Sequence, residues 1–344
     1  MPFTKTYDPA PTAGLKEGAS ISNREDLLDV LTILAPEETP VLSSASKSKA
    51  NSTFVEWTVD SLAAPTTAGI NENDDVTTFT DKFANRARLG NFIQKFRRDY
   101  RVSDLQEAVD SVGPAKVAQA EAKAIREIKR DIEATLCSNN DRDTEDGTNP
   151  YKLRGLAKWL NPTNTAGGGS SDVPDSYKTT AAAVHDTGDL TETDFNSILT
   201  EIFKKTGTAE NLTLFADTGL RRHISDYARF AGAAGAGTAS LRKVNVENGE
   251  SSIKIGVDLY QSDHGIVSIV NANPDCMTNG ITGFEAGEGG FLLNPEFYGV
   301  AELIPMGSSR MPNLGGGERG FVDCALTLLM QHPQGHGMIT RTDA

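Results

Sequence analysis

A long alternating segment near the N-terminus constrains the fold of this chain most. From Thr53 the apolar residues fall at every second position, with Val55 and Trp57 on one face and polar residues on the other, which is the period of a half-buried strand. A second extended segment, RARLGNFIQKFRRDYRVS, begins at residue 86. Residues 53–102 are therefore predicted to form a long two-stranded hairpin. Because two strands alone are only marginally stable in water, another surface, such as a neighbouring chain, must cover this hairpin.

The charges of the predicted hairpin are segregated into an acidic tip and a basic returning strand. The tip carries Glu72, Asp74, Asp75 and Asp81 beside Lys82, and the returning strand carries Arg86, Arg88, Lys95, Arg97, Arg98 and Arg101 beside Asp99. Complementary charges on a neighbouring chain would fix the register of a contact more than they add affinity. For each arginine the alternative is a solvated surface, since isolated exposed ion pairs contribute little.

One tryptophan in the first strand is the strongest single candidate for a contact with another chain. Aromatic side chains dominate interface hot spots, and Trp57 lies in the middle of the alternating segment. Packing of Trp57 within its own subunit is an equally good alternative. The candidate residues for contacts between subunits are Trp57, Glu72, Asp74, Asp75, Arg86, Arg88, Arg97 and Arg98.

Helix signals precede the hairpin. Residues 1–21 lack periodicity and are expected to form an extended arm. A capping pattern then opens a helix at Ser22, which must end near Ala35 because a proline follows. Thr39 and Pro40 supply a second helix start.

The clearest helix in the sequence spans residues 114–136. Its apolar side chains recur at helical spacing, whereas Lys, Arg and Glu occupy the other faces. The apolar stripe consists of Val117, Ala124, Ile125, Ile128, Ile132 and Leu136. At 1.5 Å per residue the helix would be roughly 34 Å long, which suits the spine of a domain.

The second half of the sequence mixes helices and strands. A helix is predicted over residues 191–206 with Gly207 as its stop, and strand patterns follow in NLTLFAD, IVSIV and GGFLLNPEFYGVAELIP. The segment FVDCALTLLM, from residue 321, is predicted to be the last strand. These patterns predict an α+β fold in which helices and antiparallel strands are mixed.

Composition disfavours several functional classes. A formal net charge of −14 argues against a dedicated nucleic-acid-binding protein, because such binding depends on Lys and Arg. The cysteines Cys137, Cys276 and Cys324 have no CxxC spacing, so they indicate neither a disulfide framework nor a zinc site, and a reducing compartment fits best. The sequence contains neither the apolar core of a signal peptide nor the ~20 apolar residues of a membrane span. We therefore expect a soluble protein made in the cytoplasm.

The sequence contains partial matches to dinucleotide-binding, calcium-binding and zinc-binding motifs, but none of them is complete. GGGERG at 315–320 matches G-x-G-x-x-G, but a strand pattern follows it where a dinucleotide site needs a helix. DRDTEDG at 141–147 has Lys152 where a calcium-binding loop needs a bidentate Glu. His332 and His336 flank Pro and Gly in HPQGH, which predicts a solvated tail and not a zinc pair on a helix. We expect no catalytic, cofactor-binding or metal site, and no enzyme.

The order of arm, charged hairpin, spine helix, mixed α/β unit and closing strands resembles the Hong Kong 97-type major capsid proteins of tailed bacteriophages. The local stretches that carry the resemblance are ILAPEETPVLS, FVEWTVDSLAAP, ARLGNFIQKF, EIKRDIEATL, VDLYQSDHGIVSIV and FLLNPEFYGVAELIP. Together they are similar to the branch of major head proteins found in some podophages and related phages. The resemblance covers residues 22–338 and rests on many short matches instead of one invariant motif.

The resemblance implies a division of the chain into five parts. In order, they are the N-terminal arm (1–50), the extended E-loop hairpin (51–102), the peripheral domain with the spine helix (103–185), the axial domain (186–294), and a return to the peripheral domain with the C-terminal tail (295–344).

The resemblance also implies what the protein does. Pentamers and hexamers of the chain would tile an icosahedral shell around packaged double-stranded DNA, without sequence-specific binding and without a membrane. Further partners would be a portal protein and, where they exist, separate scaffolding and decoration proteins, since no helical, highly charged extension precedes the arm. The protein would be assembled in the bacterial host cytoplasm and reside in the virion.

Two alternatives stay open at this point. An encapsulin-like compartment shell would use the same fold to hold cargo enzymes instead of DNA. A hydrolase using surface carboxylates belongs to another class, although the search for catalytic motifs gives it no support.

Overall fold

The structure is a computed structural model that describes residues 39–109, 116–161, 173–207, 211–230, 244–247, 250–253, 257–278, 281, 284 and 287–342. The predicted arm over 1–21 and the predicted helix over 22–35 lie outside the described residues. The helices are α1 (Pro40–Ser44), α2 (Asp104–Ala108), α3 (Lys116–Cys137), α4 (Leu156–Trp159), α5 (Glu192–Thr206), α6 (Thr218–Phe230) and α7 (Pro274–Met277). The strands are β1 (Ser46–Lys49), β2 (Phe54–Val59), β3 (Ala87–Phe92), β4 (Gln94–Val102), β5 (Val184–His185), β6 (Leu212–Ala216), β7 (Val244–Glu247), β8 (Glu250–Ile253), β9 (Leu259–Ser262), β10 (Gly265–Asn271), β11 (Gly290–Leu293), β12 (Tyr298–Met311), β13 (Glu318–Met330) and β14 (Gly337–Ile339).

A four-stranded sheet packs its apolar face against the long helix α3. Its strand order is β1-β12-β13-β4, with β1 parallel to β12 and the other pairs antiparallel. Phe96 and Tyr100 of β4 and Val322 of β13 share the main core cluster with Ile128 and Ile132 of α3. Every residue of the predicted apolar stripe on α3 is buried or partly buried, which confirms the spine helix.

A six-stranded mixed sheet forms the second half of the molecule. Its order is β5-β14-β11-β6-β10-β9. Leu212 and Leu214 of β6 pack with α5 and α6 in one apolar cluster, whereas Phe215, the next residue along the strand, belongs to the main core. The helix predicted over 191–206 is confirmed as α5: Thr191 caps it, and Gly207 ends it in the left-handed region at φ 75°.

The hairpin near the N-terminus is shorter than predicted. β2 and β3 are antiparallel, from Phe54 opposite Phe92 to Val59 opposite Ala87. β4 pairs instead with β13. The prediction of one hairpin over residues 53–102 is therefore right for β2 and β3 and wrong for residues 94–102. The physical reason is the apolar face of β4, which is buried only when this strand joins the sheet under α3.

The C-terminal segment is not the solvated tail that HPQGH predicts. Nδ1 of the fully buried His336 accepts a hydrogen bond of 3.0 Å from the N–H of Asn294, and β13 is followed by β14, which pairs with β5 and β11. Glycine makes this packing possible, because a Cβ at Gly337 would lie 2.9 Å from Cγ2 of Ile198. His332 is partly buried, and this burial lowers its pKa.

Candidate assembly surface

The β2–β3 hairpin is fixed to the body of the molecule at its base. The half-buried ring of Trp57 packs against the main core, with its centroid 5.8 Å from that of Trp159 in α4. The hydroxyl of Tyr177 donates a 2.5 Å hydrogen bond to the carbonyl of Asn85, just before β3. The structure shows Trp57 packed within its own chain, which is one of the two alternatives that the sequence leaves open.

Beyond this base, the connection between β2 and β3 is exposed along its whole length. Residues 60–86 contain no helix or strand, and each of them is exposed. The large apolar side chains here are Leu62 (98% exposed), Ile70 (84%), Val76 (70%), Phe79 (86%) and Phe83 (61%). A structureless connection of this length is uncommon in a compact protein and is usually either functional or a linker. Exposed apolar side chains in this number would suit contact with another surface.

The predicted acidic tip lies within this loop. Glu72, Asp74 and Asp75 are all exposed, and within the described residues none of them forms a salt bridge. Asp74 has only a local partner, since Nδ2 of Asn71 donates to its carboxylate at 3.4 Å. These carboxylates are therefore available to cations of another molecule.

The two arginines at the start of the returning strand are paired within the chain. Nε of Arg86 donates to Asp60 at 2.8 Å and lowers the pKa of that carboxyl group, and Nη1 of Arg88 donates to Glu56 at 3.4 Å. Both pairs cross the hairpin. The structure thus assigns Arg86 and Arg88 to closing the base of the loop, a local role that the sequence did not predict.

The remaining two candidate arginines point to opposite faces of β4. Arg98 faces α3, where it pairs with Asp131. Arg97 lies on the other face, with its guanidinium 5.0 Å from the ring centre of Phe321 on β13. Neither residue belongs to the hairpin, so the predicted charge pattern of one hairpin is divided between two structural units.

Arg97 is part of a surface that we call the basic face: the side of the β4–β13 pair that points away from α3. It consists of Arg97, Arg101 and Arg319, with Asp99 and the ion pair of Lys95 and Asp323 beside them. Arg101 and Arg319 each donate to a backbone carbonyl, of Gly316 and Pro312 respectively. In the part of the chain that the structure describes, neither Arg101 nor Arg319 forms an ion pair, so the neutral carbonyl partners leave both positive charges unbalanced there.

Sequence reasoning missed a buried carboxylate on the spine helix. Glu133 is 1% exposed, and its two oxygens accept hydrogen bonds from the N–H groups of Val41 and Leu42, each at 2.8 Å. It lies just outside the apolar stripe. The one available signal was its position one turn before Cys137, a residue type that is usually buried.

Within the described part of the chain, no group of three or more His, Cys, Asp or Glu side chains could hold a metal ion, and no described helix is long and apolar enough to cross a membrane. The glycines of GGGERG lie in the turn between β12 and β13, with positive φ at Gly315 and Gly317, and its last three residues begin β13. The acidic segment 141–147 is mostly exposed. The three cysteines are free and buried.

Comparison with known proteins agrees with this architecture. The model of the SU10 major capsid protein family matches residues 11–343. Among solved structures, the capsid of cyanophage P-SCSP1u aligns with TM-score 0.56 at 11% identity, covering 93% of each chain. Mycobacterium phage Adephagia aligns with TM-score 0.55 at 11% identity, covering 92% of this chain and 94% of its own.

An encapsulin shares the fold as well. The holo-SrpI encapsulin complex from Synechococcus elongatus PCC 7942 aligns with TM-score 0.53 at 12% identity, covering 94% of this chain and 93% of its own. At such identities the structures establish the fold, the Hong Kong 97-like one. No curated protein sequence matches the chain.

Proposed function

The chain belongs to the SU10 major capsid protein family, and from this premise we propose that its copies assemble into pentamers and hexamers that close an icosahedral phage head around double-stranded DNA. As a major capsid protein it is a component of the virion shell, built from many copies of itself. The observation that carries the proposed mode of assembly is the loop 60–86, which is fixed at its base and exposed beyond it.

The loop is proposed to dock on a neighbouring copy. Its exposed apolar side chains would supply most of the binding free energy, at roughly 25 cal/mol for each Å² of apolar surface removed from water. Its carboxylates, Glu72, Asp74 and Asp75, would set the register by pairing with the neighbour's basic face. Trp57 serves this contact indirectly in our proposal, because its packing against Trp159 fixes the direction in which the loop leaves the body.

The five-part division of the chain remains part of the proposal. The arm would be residues 1–50, the E-loop hairpin 51–102, the first peripheral segment 103–185, the axial domain 186–294, and the returning segment 295–344. The four-stranded sheet with α3 supports the peripheral unit, and α5 and α6 on the six-stranded sheet support the axial unit.

The proposed partners beyond the chain itself are a portal protein, a separate scaffolding protein and a decoration protein, with assembly in the host cytoplasm. The packaged DNA would be enclosed without sequence-specific binding. A net charge of −14 supports this, since it disfavours tight attraction to phosphates. We also propose that the protein catalyses no reaction in this role.

The encapsulin-like compartment remains the second candidate because an encapsulin shares the fold. It would hold protein cargo where a phage head holds DNA. The family match favours the phage head, since the matching model describes a major capsid protein.

The test is assembly of the full-length chain, alone and co-expressed with the scaffolding and portal genes from its own genome. Light scattering and negative-stain electron microscopy would detect rings of five or six subunits, or closed shells. A chain that stays monomeric in both settings would overturn the proposal. Nuclease-protected DNA in native particles supports the phage head, whereas protein cargo without DNA supports the compartment.

A further inference from the structure

The β2–β3 hairpin is held on both of its faces where it leaves the body of the molecule. On the inner face, Trp57 packs against the main core. Because side chains alternate along a strand, Phe54, Gly90 and Phe92 belong to the outer face. This outer face is contacted by residues 140–155, which lie between α3 and α4 and which we call the clip.

Two side chains of the clip make the contacts with the outer face. Nη1 of Arg142 donates a 2.5 Å hydrogen bond to the carbonyl of Gly90. The guanidinium group of Arg142 also lies 5.1 Å from the ring centre of Phe54, which is a cation–π distance. The ring centres of Phe54 and Phe92 are 4.5 Å apart, and Tyr151 stacks on Phe92 at 5.7 Å. The clip therefore contacts both strands of the hairpin.

The outer contact requires a glycine in β3. A Cβ at Gly90 would lie 2.6 Å from Cζ of Phe54, so a side chain at this position would push the ring aside. Glycine weakens the interior of a strand and often marks a site where another group approaches the backbone closely. Here the approaching groups are the ring of Phe54 and the guanidinium group of Arg142.

Backbone hydrogen bonds close the clip into a compact loop. The N–H of Gly155 donates to the carbonyl of Asn140 at 3.1 Å. Asp143 and Lys152 exchange two backbone hydrogen bonds, of 3.2 and 3.1 Å, as an antiparallel bridge. The two side chains that contact the hairpin are therefore carried by a loop whose own strands are joined.

Buried polar groups attach the clip to the body of the molecule. Arg154 is 1% exposed, and its Nε donates to Asp141 at 2.7 Å. Its guanidinium group lies 4.7 Å from the ring centre of Trp159, which also packs against Trp57. The side chain of the buried Asn91 accepts a 2.8 Å hydrogen bond from the N–H of Arg154 and donates one of 3.2 Å to its carbonyl. Because detaching the clip would leave these buried groups unsatisfied, the clip is a fixed support for the hairpin.

We propose that the clip sets the direction in which the β2–β3 hairpin leaves the body, with Arg142 as its positioning residue. A two-stranded hairpin is marginally stable alone, and contacts on its inner face would still allow it to tilt outward. Contacts on both faces hold it in one direction. A loop 60–86 that is already directed loses less conformational entropy when it docks. This effect on assembly rests on the docking proposed above, whereas the positioning of the hairpin does not.

The direction of the hairpin can be measured in dilute, unassembled subunits of the full-length chain. Spin labels on cysteines introduced at Thr58 of β2 and Lys129 of α3, which are both exposed, report the distance between hairpin and body by pulsed electron paramagnetic resonance. The native cysteines are buried and should stay unlabelled. We expect one narrow distance distribution with Arg142 in place, and one at least about twofold broader in Arg142→Ala, which loses the charge-assisted hydrogen bond. An equally narrow, unshifted distribution in Arg142→Ala would overturn the inference.

Further variants separate the positioning role from a general effect on charge or folding. Lys152→Ala removes a cation of the clip that contributes through its backbone, and it should keep the narrow distribution. Arg142→Lys keeps the charge without the planar fork and should give an intermediate width. Should Arg142→Ala fail to fold, Tyr151→Ala removes the other contact, and a distribution that stays narrow in that variant would overturn the inference.

Assembly of the same variants distinguishes the inference from the proposed docking. Arg142→Ala should lower the yield of rings or shells at least about fivefold, because its loop must be ordered when it docks. Lys152→Ala should assemble normally. A broader distance distribution with normal assembly would support the positioning by the clip and count against docking through the loop.

Discussion

The guanidinium group of Arg98 donates two hydrogen bonds, of 2.6 and 2.7 Å, to the carboxylate of Asp131. The pair joins β4, an edge strand of the four-stranded sheet, to the spine helix. This bidentate geometry fixes both side chains in one arrangement. The hydrogen bonds to Asp131 also raise the pKa of Arg98. Both side chains remain partly exposed, at 45% and 37%, so water and salt screen the attraction.

A double-mutant cycle of Arg98→Ala and Asp131→Ala should give a coupling free energy of about 0.5–1 kcal/mol in urea unfolding. The coupling should shrink in ~1 M salt, where the Debye length is about 3 Å. Arg97→Ala serves as the matched control, because Arg97 is exposed on the same strand and has no ion pair among the described residues. A coupling insensitive to salt would show that the pair is more buried than the structure indicates.

Removing the apolar side chains of the loop should impair assembly while leaving the subunit stable. For Ile70→Ser combined with Phe79→Ser, we expect the free energy of unfolding to change by less than about 0.5 kcal/mol, since both positions are exposed. The yield of rings or shells should fall at least about tenfold, measured by sedimentation velocity and electron microscopy. Thr78→Ser is the control within the loop, and normal assembly of the double variant would exclude the loop as the main contact.

Charge exchange tests the pairing between the loop and the basic face. Asp74→Lys with Asp75→Lys should lower assembly about tenfold and make the remainder less sensitive to salt. Adding Arg97→Glu and Arg101→Glu should restore assembly, because the signs are again opposite. Glu145→Lys, an exposed reversal elsewhere, is the control for net charge. The contrary result is a fourfold variant that fails to assemble while Arg97→Glu with Arg101→Glu assembles normally by itself. That result would show that the loop contacts another surface of the neighbour.

Stability of the isolated subunit should depend on the charge of His336. Burial lowers the pKa of this imidazole to about 3, below its ordinary value of 6.5. The folded state therefore resists protonation that the unfolded state accepts, and stability present above pH 6.5 is lost as the pH falls toward 3. Within this window, wild type should lose up to about 1.4 kcal/mol more per pH unit than His336→Gln. Urea unfolding at several pH values would measure the difference, and parallel pH profiles would contradict a buried neutral His336.

Elements with local signals could be predicted from the sequence alone. The capping pair Thr191 and Asp194 and the stop at Gly207 define α5 within a few residues, and the stripe on α3 follows from helical spacing. Pro40 likewise identifies α1, because its fixed φ suits the first turn of a helix.

Pairing between distant segments could not be predicted. The alternation over 94–102 predicts a strand equally well whether its partner is β2 or β13, since hydrophobic period carries no information about the neighbouring strand. The same limit explains why the burial of His336 could not be predicted, since this burial depends on the glycines that pack around it. It also explains Glu133, a charged residue that becomes buried only because α1 supplies two N–H groups.

The order of strands in the four-stranded sheet also determines when the chain can fold. β13 lies between β4 and β12, so β4 has no partner strand in this sheet until the segment up to residue 330 has been synthesised. Pairings so distant in sequence form slowly, because the loop must close before any contact compensates for the lost entropy. A nascent chain on the ribosome therefore exposes the loop 60–86 long before it completes the basic face. With the docking that we propose, two nascent chains that both lack β13 cannot join through the loop and the basic face, because neither chain has completed the basic face.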